Sequence, residues 1–348
     1  MSGAVNNFNI VFYGAGAIGA TLGGWLTQEY DHVYLLARGD NAEAMKSKGL
    51  ILYEKANTNP PPIKVKVIED LTELPSIDIV VITVKNYDLE EVAKDISTKI
   101  GDKPIIVALQ NGIENQKILP KYFSKIIYGV IVLSAWRDKP SVFGNRGKGQ
   151  ITLGTIDNKQ RDLLRTISNV FKLGFPTKIT NRLQDAAHSK LILNLLNSVF
   201  TLISPELQND DEIYKIIKIL AYVFLEGIKI AQTAGYKEHK LFNLPSWNVW
   251  EMVLTANKNT VLNMFKKDLK FYFFNSMAQD MVLQQKNQSE LESLNGYLLS
   301  LADSYDVEVP INRLIYRLCK EEFVKTPFKP LSVNYVWEKI NKNLKENL

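Results

Sequence analysis

The stretch NIVFYGAGAIG, residues 9–19, decides the fold of this chain. Its first five residues are mostly β-branched or aromatic, which favours a strand, and three glycines follow with the spacing Gly-x-Gly-x-x-Gly. A helical pattern continues over residues 21–26 and a second apolar run begins at Val33, so the segment predicts a β-α-β unit. In such a unit the first glycine permits a tight turn, the second lets the backbone approach a pyrophosphate, and the third lets helix and strand pack closely. The sequence therefore predicts a dinucleotide site at the N-terminus of the helix, formed by Gly14, Ala15, Gly16, Ala17, Ile18 and Gly19.

The end of the second apolar run indicates which form of the cofactor binds. An acidic residue at this point accepts from the 2′-hydroxyl of NAD, whereas an arginine accommodates the 2′-phosphate of NADP. The chain has Arg38 there, and Asp40 follows two residues on. A guanidinium group matches a phosphate bidentately, so Arg38 favours NADPH and NADP⁺. The alternative is that Arg38 is an exposed residue at a strand end and that Asp40 binds the ribose.

Composition fits two globular domains and excludes several other classes of protein. The chain has 348 residues, of which 46% are hydrophobic and 23% charged, as in ordinary globular proteins. The lysines behind the net charge of +5 are dispersed, which argues against a nucleic-acid-binding face. The single cysteine, Cys319, cannot form an internal disulfide, and no apolar run reaches the ~18 residues that span a bilayer. We expect a cytoplasmic protein that is neither exported nor membrane-spanning.

The pattern of secondary structure changes once along the chain. The first half alternates β-rich and helical runs, as a parallel sheet covered by helices requires. Strands are predicted at 77–84, 105–109 and 150–154. The segment 57–62, rich in proline and asparagine, predicts a surface hairpin or an irregular loop between two β-like stretches. We expect an α/β fold with an N-terminal Rossmann-type dinucleotide-binding domain over residues 1–180 and an all-helical C-terminal domain over residues 181–348.

The first long helix of the second domain, predicted at residues 183–203, is apolar except for one polar stripe. With about 100° per residue, Lys190, Asn194 and Asn197 fall within about 60° of one another, and Ser198 lies at one edge. Burying an ammonium group and two amides in a core is costly without partners, so the stripe predicts a polar cleft or a buried network. The alternative is that Lys190 simply reaches solvent and that the asparagines bond to a neighbouring loop.

Several motifs, taken in order along the chain, resemble the ketopantoate reductase family. They are the glycine fingerprint, Arg38, Lys85 after an apolar run, the Asn111-Gly112 turn, the Lys190 helix and the late stretch SELESLNG at residues 289–296. The resemblance extends over residues 8–320 and depends on order and spacing, because no one motif suffices. It implies an NADPH-dependent 2-dehydropantoate 2-reductase, an enzyme of pantothenate and coenzyme A biosynthesis.

The resemblance also implies roles for individual residues. Lys190 occupies the position of the family's general acid, and Asn194, four residues on, that of a substrate-binding asparagine. Asn111 matches an asparagine near both nicotinamide and substrate, and Lys85 matches a lysine on the cofactor side. The alternatives for the last two are an Asn-Gly turn that forms unaided and a solvent-exposed lysine at a strand end.

Two further matches lie late in the chain. Ser276 begins SMAQD, similar to the family's Ser-Met-x-Gln-Asp, whose serine contacts substrate. Glu290 matches a glutamate that holds the substrate hydroxyl. The alternative for Glu290 is a helix start in which Ser289 caps the helix and Glu292 closes a capping box.

The chain departs from the family pattern mainly at presumed substrate contacts. The family's asparagine eight residues after the lysine is Ser198 here, with Asn197 beside it as a substitute, and an asparagine three residues before Ser276 is replaced by Phe273. An aromatic stretch, residues 235–274, and a tail, residues 326–348, are additions. For the aromatic stretch we expect extra helix packing, a dimer surface or a reshaped pocket mouth.

These features together predict reduction of 2-dehydropantoate to (R)-pantoate. Lys190 would donate the proton, Asn194 and Ser276 would orient the oxo acid, and Glu290 would accept from a distal hydroxyl. The alternatives are a D-2-hydroxy acid dehydrogenase with another 2-oxo acid and a non-catalytic NADP(H)-binding sensor. Because the three histidines are scattered, we expect no metal site, and we expect a small-molecule substrate and a homodimer without nucleic-acid or membrane partners.

Overall fold

The computed structural model describes residues 7–54, 60–242, 244–273, 275–286 and 288–346. Two compact units account for the chain, Met1–Gln184 and Asp185–Leu348. Each unit has its own hydrophobic core, of which one draws on residues 10–175 and the other on residues 191–340. We refer to them as unit 1 and unit 2.

Unit 1 is an α/β unit with a large sheet and a small one. Its strands are β1 (Ile10–Tyr13), β2 (Val33–Leu36), β3 (Ile51–Glu54), β4 (Lys66–Ile68), β5 (Ile79–Ile82), β6 (Ile105–Ala108), β7 (Ile126–Val132), β8 (Ala135–Lys139), β9 (Val142–Asn145), β10 (Gln150–Gly154) and β11 (Thr177–Ile179). Its helices are α1 (Ala17–Thr27), α2 (Gly39–Lys48), α3 (Leu89–Ile100), α4 (Asn115–Ile118) and α5 (Arg161–Gly174). Short 3₁₀ turns lie at Leu71–Glu73, Asn86–Asp88 and Leu119–Lys121.

The large sheet has the order β11-β10-β7-β6-β5-β1-β2-β4. Its neighbouring strands run parallel except β7 and β10, which are antiparallel. The strands β1, β5 and β6 are buried along their whole length, as their continuous apolar runs require. The three strands predicted at 77–84, 105–109 and 150–154 are confirmed as β5, β6 and β10.

The region around segment 57–62 differs from the predicted hairpin. The two β-like stretches are β3 and β4, but β3 pairs with β9 in the small sheet β3-β9-β8, whereas β4 pairs with β2 at the edge of the large sheet. The strands β3 and β4 therefore do not pair with each other, but Leu50 and Ile63 on either side of the segment form an antiparallel bridge, which fits the alternative of an irregular loop with a hairpin-like base. Residues 57–59 lie outside the described residues.

Unit 2 is helical, as the change of periodicity predicts. The helix α6 (Leu183–Leu202) begins at the end of unit 1, and unit 2 continues with α7 (Asp210–Thr233), α8 (Val249–Thr255), α9 (Lys258–Tyr272), α10 (Ser276–Ala278), α11 (Tyr297–Ser304), α12 (Pro310–Phe323) and α13 (Val333–Glu346). A π-helical turn, Gln279–Leu283, follows α10, and a second, Glu292–Gly296, leads directly into α11. The helix predicted at 183–203 is confirmed as α6.

The two additions to the family pattern contribute to the core of unit 2. In the aromatic stretch, the ring of Trp250 packs on Phe224 at 4.3 Å and stacks on Phe265 at 5.5 Å between ring centroids. The side chains of Phe271 and Phe274 lie outside the described residues. In the tail, Val336 and Ile340 of α13 are fully buried. Both segments therefore contribute helix packing within this unit.

In the described parts of the chain, no helix combines the length and the apolar character needed to cross a membrane.

Candidate cofactor and substrate sites

The glycine turn after β1 has the three properties that a dinucleotide fingerprint requires. Gly14 has φ = +102°, a conformation that L side chains rarely adopt, and its carbonyl oxygen accepts from the Thr83 hydroxyl at 2.8 Å. A Cβ atom at Gly19 would overlap that carbonyl oxygen. A Cβ atom at Gly16, in contrast, would meet no atom within 4 Å. Gly14 and Gly19 therefore fix the turn, while Gly16 leaves open space at the N-terminus of α1, where a dinucleotide's phosphates fit.

Arg38 lies at the start of α2, directly after β2. Its side chain is exposed, and its Nη2 atom donates a hydrogen bond of 3.2 Å to the hydroxyl of Tyr13 at the end of β1. Asp40, the alternative ribose-binding residue, is exposed in the first turn of α2. The guanidinium group is thus held at the carboxyl edge of the sheet, where ligands of such folds bind.

A hydrogen bond joins the segments that follow β5 and β6, beside the predicted site residues Lys85 and Asn111. Lys85 is half-buried and precedes the 3₁₀ turn Asn86–Asp88. The buried side chain of Asn86 donates a hydrogen bond of 2.6 Å to the carbonyl oxygen of Asn111. Gly112 has φ = +83°, so the Asn-Gly turn is formed. The half-buried side chain of Asn111 is thereby placed at the same edge of the sheet as the glycine turn.

The polar stripe on α6 has two buried nitrogen donors. Asn194 and Asn197 are 3% and 8% exposed, and the Nδ2 atom of Asn194 has no hydrogen-bond partner in the part of the chain that the structure describes. Lys190 lies one turn before Asn194 on the same face, and its side chain is half-buried. An unsatisfied buried donor is costly, so this face of α6 is suited to an oxygen-rich ligand.

The half-buried side chain of Lys190 is partly desolvated on α6. Desolvation is the cause that lowers its pKa, from its ordinary value of 10.5 to about 8. The lowered pKa and the half-buried side chain of Lys190 favour the polar-cleft interpretation of the stripe over simple exposure to solvent. A lysine with a pKa of about 8 remains largely protonated at pH 7 yet releases its proton more readily than an exposed lysine.

Ser198 lies in the core of unit 2 and not beside Lys190. Its side chain is fully buried, its hydroxyl donates to the carbonyl oxygen of Leu195 at 2.9 Å, and it accepts from the amide of Asn295 at 3.0 Å. These bonds give the Ser198 side chain a structural role, so we leave this residue, predicted to bind substrate, out of the proposed site. His188 likewise stacks on Tyr236, with ring centroids 3.5 Å apart, and contacts the hydroxyl of Tyr297.

Ser276 and Glu290 lie in the irregular part of unit 2. Ser276 is half-buried and begins α10, which is capped by Asn275 through bonds to the backbone amides of Met277 and Ala278. The side chain of Glu290 is 5% exposed. The alternative for Glu290 is present in part: the Ser289 hydroxyl accepts from the backbone N–H of Leu291 at 3.4 Å, whereas Glu292 accepts from Tyr316 and Lys320 and does not close the capping box.

Phe273, where the family pattern has an asparagine, belongs to the core. It is 7% exposed, and its ring packs edge-on against Phe200 of α6 at 4.8 Å between centroids. The substitution therefore replaces a polar position with a core contact.

Two residues beside the candidate cofactor site carry almost no signal in the sequence. Tyr13 holds Arg38, and Asn86 holds the turn at Asn111. Tyr13 is signalled only by a polar group at the end of a strand that is otherwise apolar, and Asn86 only by its position after the strand-end lysine. The structure describes no cluster of residues suited to a metal ion.

The fold and the glycine turn define a Rossmann-type dinucleotide-binding protein with an added helical unit. The family model described as ketopantoate reductase PanE/ApbA matches residues 10–158, and the model of the PanE/ApbA C-terminal region matches residues 182–322. The chain therefore belongs to the ketopantoate reductase family, whose curated members are oxidoreductases.

The individual relatives match this chain over nearly their whole length, but with low sequence identity. The chain is 26% identical to the 2-dehydropantoate 2-reductase of Pyrococcus horikoshii over 318 residues, which cover 89% of this chain and 96% of that one. D-mandelate dehydrogenase in a ternary structure with NADH and anilino(oxo)acetate is 18% identical with a TM-score of 0.74, covering 92% of this chain and 99% of that one. A dimeric ketopantoate reductase from Staphylococcus aureus is 20% identical with a TM-score of 0.67, covering 91% and 99%. The structural neighbours establish the fold.

Proposed function

We propose that this protein reduces a 2-oxo acid with NADPH, and that the substrate is 2-dehydropantoate, giving (R)-pantoate. The observation that carries the proposal is the pair of nitrogen groups on α6, the desolvated ammonium of Lys190 and the unsatisfied amide donor of Asn194. Two such donors one helical turn apart are complementary to the carbonyl and carboxylate oxygens of a 2-oxo acid.

The residues proposed to hold the cofactor all belong to unit 1. They are Gly14, Ala15, Gly16, Ala17, Ile18, Gly19, Arg38, Lys85 and Asn111. The open space at Gly16 would receive the pyrophosphate, and Arg38 would pair with the 2′-phosphate, which supports NADPH over NADH. When bound, the nicotinamide supplies the hydride for the carbonyl carbon.

Lys190 acts in this proposal as the general acid. Its ammonium group polarises the carbonyl and donates a proton to the oxygen as negative charge develops there. The pKa of about 8 supports this role, because an acid whose pKa is near the working pH is both protonated and able to transfer its proton.

The remaining side chains orient the substrate. Asn194, Asn197 and Ser276 donate hydrogen bonds to the oxo-carboxylate, and the buried Glu290 accepts from the distal hydroxyl that distinguishes 2-dehydropantoate from simple 2-oxo acids. Catalysis by proton transfer of this kind contributes about 10²- to 10⁴-fold to a rate.

A second candidate is a D-2-hydroxy acid dehydrogenase for another 2-oxo acid. The observation in its favour is Phe273, which replaces the family's asparagine with a ring packed on Phe200 and removes one polar group from the presumed substrate contacts. A pure NADP(H) sensor is less well supported, because such a protein has no need of a desolvated lysine on α6.

The experiment is oxidation of NADPH by the purified protein with 2-dehydropantoate, run beside NADH and a panel of branched and aromatic 2-oxo acids. Efficient turnover with 2-dehydropantoate supports the proposal. Turnover only with another acid assigns the second candidate, and tight NADPH binding without turnover on any acid assigns the sensor.

We propose in addition that the protein works as a homodimer in the reducing cytoplasm. The assembly is supported by the dimeric ketopantoate reductase among the structural neighbours. The location is supported by Cys319, because a chain with one cysteine has no internal disulfide and fits a reducing compartment. Light scattering of the purified protein tests the assembly.

A further inference from the structure

A chain of polar contacts connects Arg38 to α3 through Tyr13. The Nη2 atom of Arg38 donates to the hydroxyl of Tyr13 at 3.2 Å, and this hydroxyl donates to the Oδ2 atom of Asp95 at 2.7 Å. Tyr13 is the last residue of β1 and 4% exposed, and Asp95 lies on α3. The tyrosine thus connects a buried part of unit 1 to an exposed guanidinium group.

The far end of this chain of contacts is anchored by a lysine. The ammonium group of Lys99, one turn after Asp95 on α3, pairs with the Oδ1 atom of Asp95 at 2.7 Å and also pairs with Asp70. Asp95 therefore uses one carboxylate oxygen for Lys99 and the other for Tyr13. Two fixed partners leave the Tyr13 hydroxyl little freedom to rotate.

The direction of the hydrogen bonds follows from what each group can do. A carboxylate only accepts, so the one hydrogen of the Tyr13 hydroxyl is used on Asp95. A lone pair on the same oxygen is then left for Arg38, which only donates. Burial, followed by the contact with Asp95, raises the pKa of Tyr13, so the phenol stays neutral at physiological pH.

We propose that Tyr13 is a positioning residue for cofactor selectivity, holding the guanidinium group of Arg38 with an uncharged acceptor so that the arginine stays available for a 2′-phosphate. A carboxylate in the same place would orient Arg38 equally well, but it would neutralise the arginine and repel the phosphate. Tyr13 does this without a carboxylate in direct contact with the guanidinium group, because Asp95 lies beyond the phenol and is paired with Lys99. The inference rests on the proposed preference for NADPH.

The test uses two nucleotides that differ only in the 2′-phosphate, adenosine 2′,5′-bisphosphate and adenosine 5′-monophosphate, with binding measured by calorimetry on the full-length protein. In Tyr13→Phe we expect the bisphosphate to bind about 3- to 10-fold more weakly, since one hydrogen bond to a charged group is lost, while the monophosphate binds as before. In kinetics with a 2-oxo acid, the KM for NADPH rises and kcat stays unchanged. Tyr34→Phe on the neighbouring strand β2 is the matched control, because its hydroxyl is not part of this chain of contacts.

The outcomes separate this inference from the proposed function. If the wild-type protein does not prefer the bisphosphate, the NADPH preference itself is wrong and the role of Tyr13 falls with it. If the wild-type protein prefers it and Tyr13→Phe keeps the full ratio of affinities, only the role of Tyr13 is overturned. Should Tyr13→Phe fail to fold, Tyr13→Met, an apolar side chain without the hydroxyl, replaces it, and an unchanged ratio of affinities in that variant overturns the inference equally.

Discussion

The side-chain amide of Asn295 donates a hydrogen bond of 3.0 Å to the hydroxyl of Ser198, and both side chains are buried in unit 2. The bond joins α6 to the π-helical turn Glu292–Gly296 across 97 residues of sequence. It explains why a serine is accommodated where the family resemblance leads one to expect an asparagine for substrate. On this helix the serine serves the core, and Asn194 and Asn197 remain for the ligand.

Removing that hydroxyl should affect stability and spare catalysis. In Ser198→Ala the buried amide of Asn295 loses its acceptor, and an unsatisfied buried donor costs about 1–3 kcal/mol. We expect the free energy of unfolding, measured in urea, to fall by about that amount, with kcat/KM unchanged. Asn197→Ala is the comparison and should lower kcat/KM. A Ser198→Ala protein of wild-type stability but impaired turnover would show that Ser198 binds substrate and is not a structural residue.

The sequence predicted which residues share a face of one helix or strand, but it did not predict which residues of different elements contact each other. Lys190, Asn194 and Asn197 share a face because helical periodicity alone places them there. The role of Ser198 depends on a partner 97 residues away, and β3 and β4 each pair with a distant strand, which no local pattern reveals. Tyr13 was missed for the same reason, since its partners Arg38 and Asp95 lie on other elements.

A pair of glycine variants separates ligand approach from folding in the fingerprint. The methyl group of Gly16→Ala meets open space, so we expect an unchanged melting temperature but NADPH binding weaker by about tenfold or more, because the methyl lies where the phosphates approach the helix. The methyl group of Gly19→Ala overlaps the Gly14 carbonyl oxygen, so that variant should lose stability. Thermal melts and fluorescence titration with NADPH measure both effects. Undiminished NADPH affinity in Gly16→Ala would place the cofactor elsewhere.

Lys190→Met should lose activity and its pH dependence together. We expect kcat to fall about 10²- to 10⁴-fold if the ammonium group is the acid. In the wild-type protein the acid must be protonated, so kcat/KM for reduction should fall as the pH rises through about 8, the pKa of Lys190. Lys229→Ala, an exposed lysine on α7, is the matched control and should leave both quantities unchanged. A residual rate in Lys190→Met with the same pH profile as the wild type would assign the proton to another group.

The same substitution should stabilise the fold at neutral pH. The folded-state pKa of Lys190, about 8, is below its ordinary value of 10.5, so between these values the unfolded chain binds more protons and wild-type stability rises with pH. Below pH 8 the desolvated charge is a full penalty, on the order of 1–3 kcal/mol. Lys190→Met removes it, so its advantage in free energy of unfolding should be largest at pH 7 and shrink towards pH 10.5. An equal difference at both pH values would show that packing, and not charge, is responsible.

Restoring the family's asparagine at position 273 should harm the protein instead of improving it. Phe273 packs on Phe200 inside the core of unit 2, so Phe273→Asn creates a cavity and buries an amide. Truncating a buried phenylalanine costs about 3–5 kcal/mol, and an unpaired amide adds to this, so we expect a large drop in melting temperature. Phe273→Leu keeps an apolar side chain and should lose less stability while retaining turnover, as measured by thermal melts beside the NADPH oxidation assay. If Phe273→Asn instead folded well and gained activity towards 2-dehydropantoate, the ring would belong to the substrate pocket, and a different 2-oxo acid would become the better assignment for this chain.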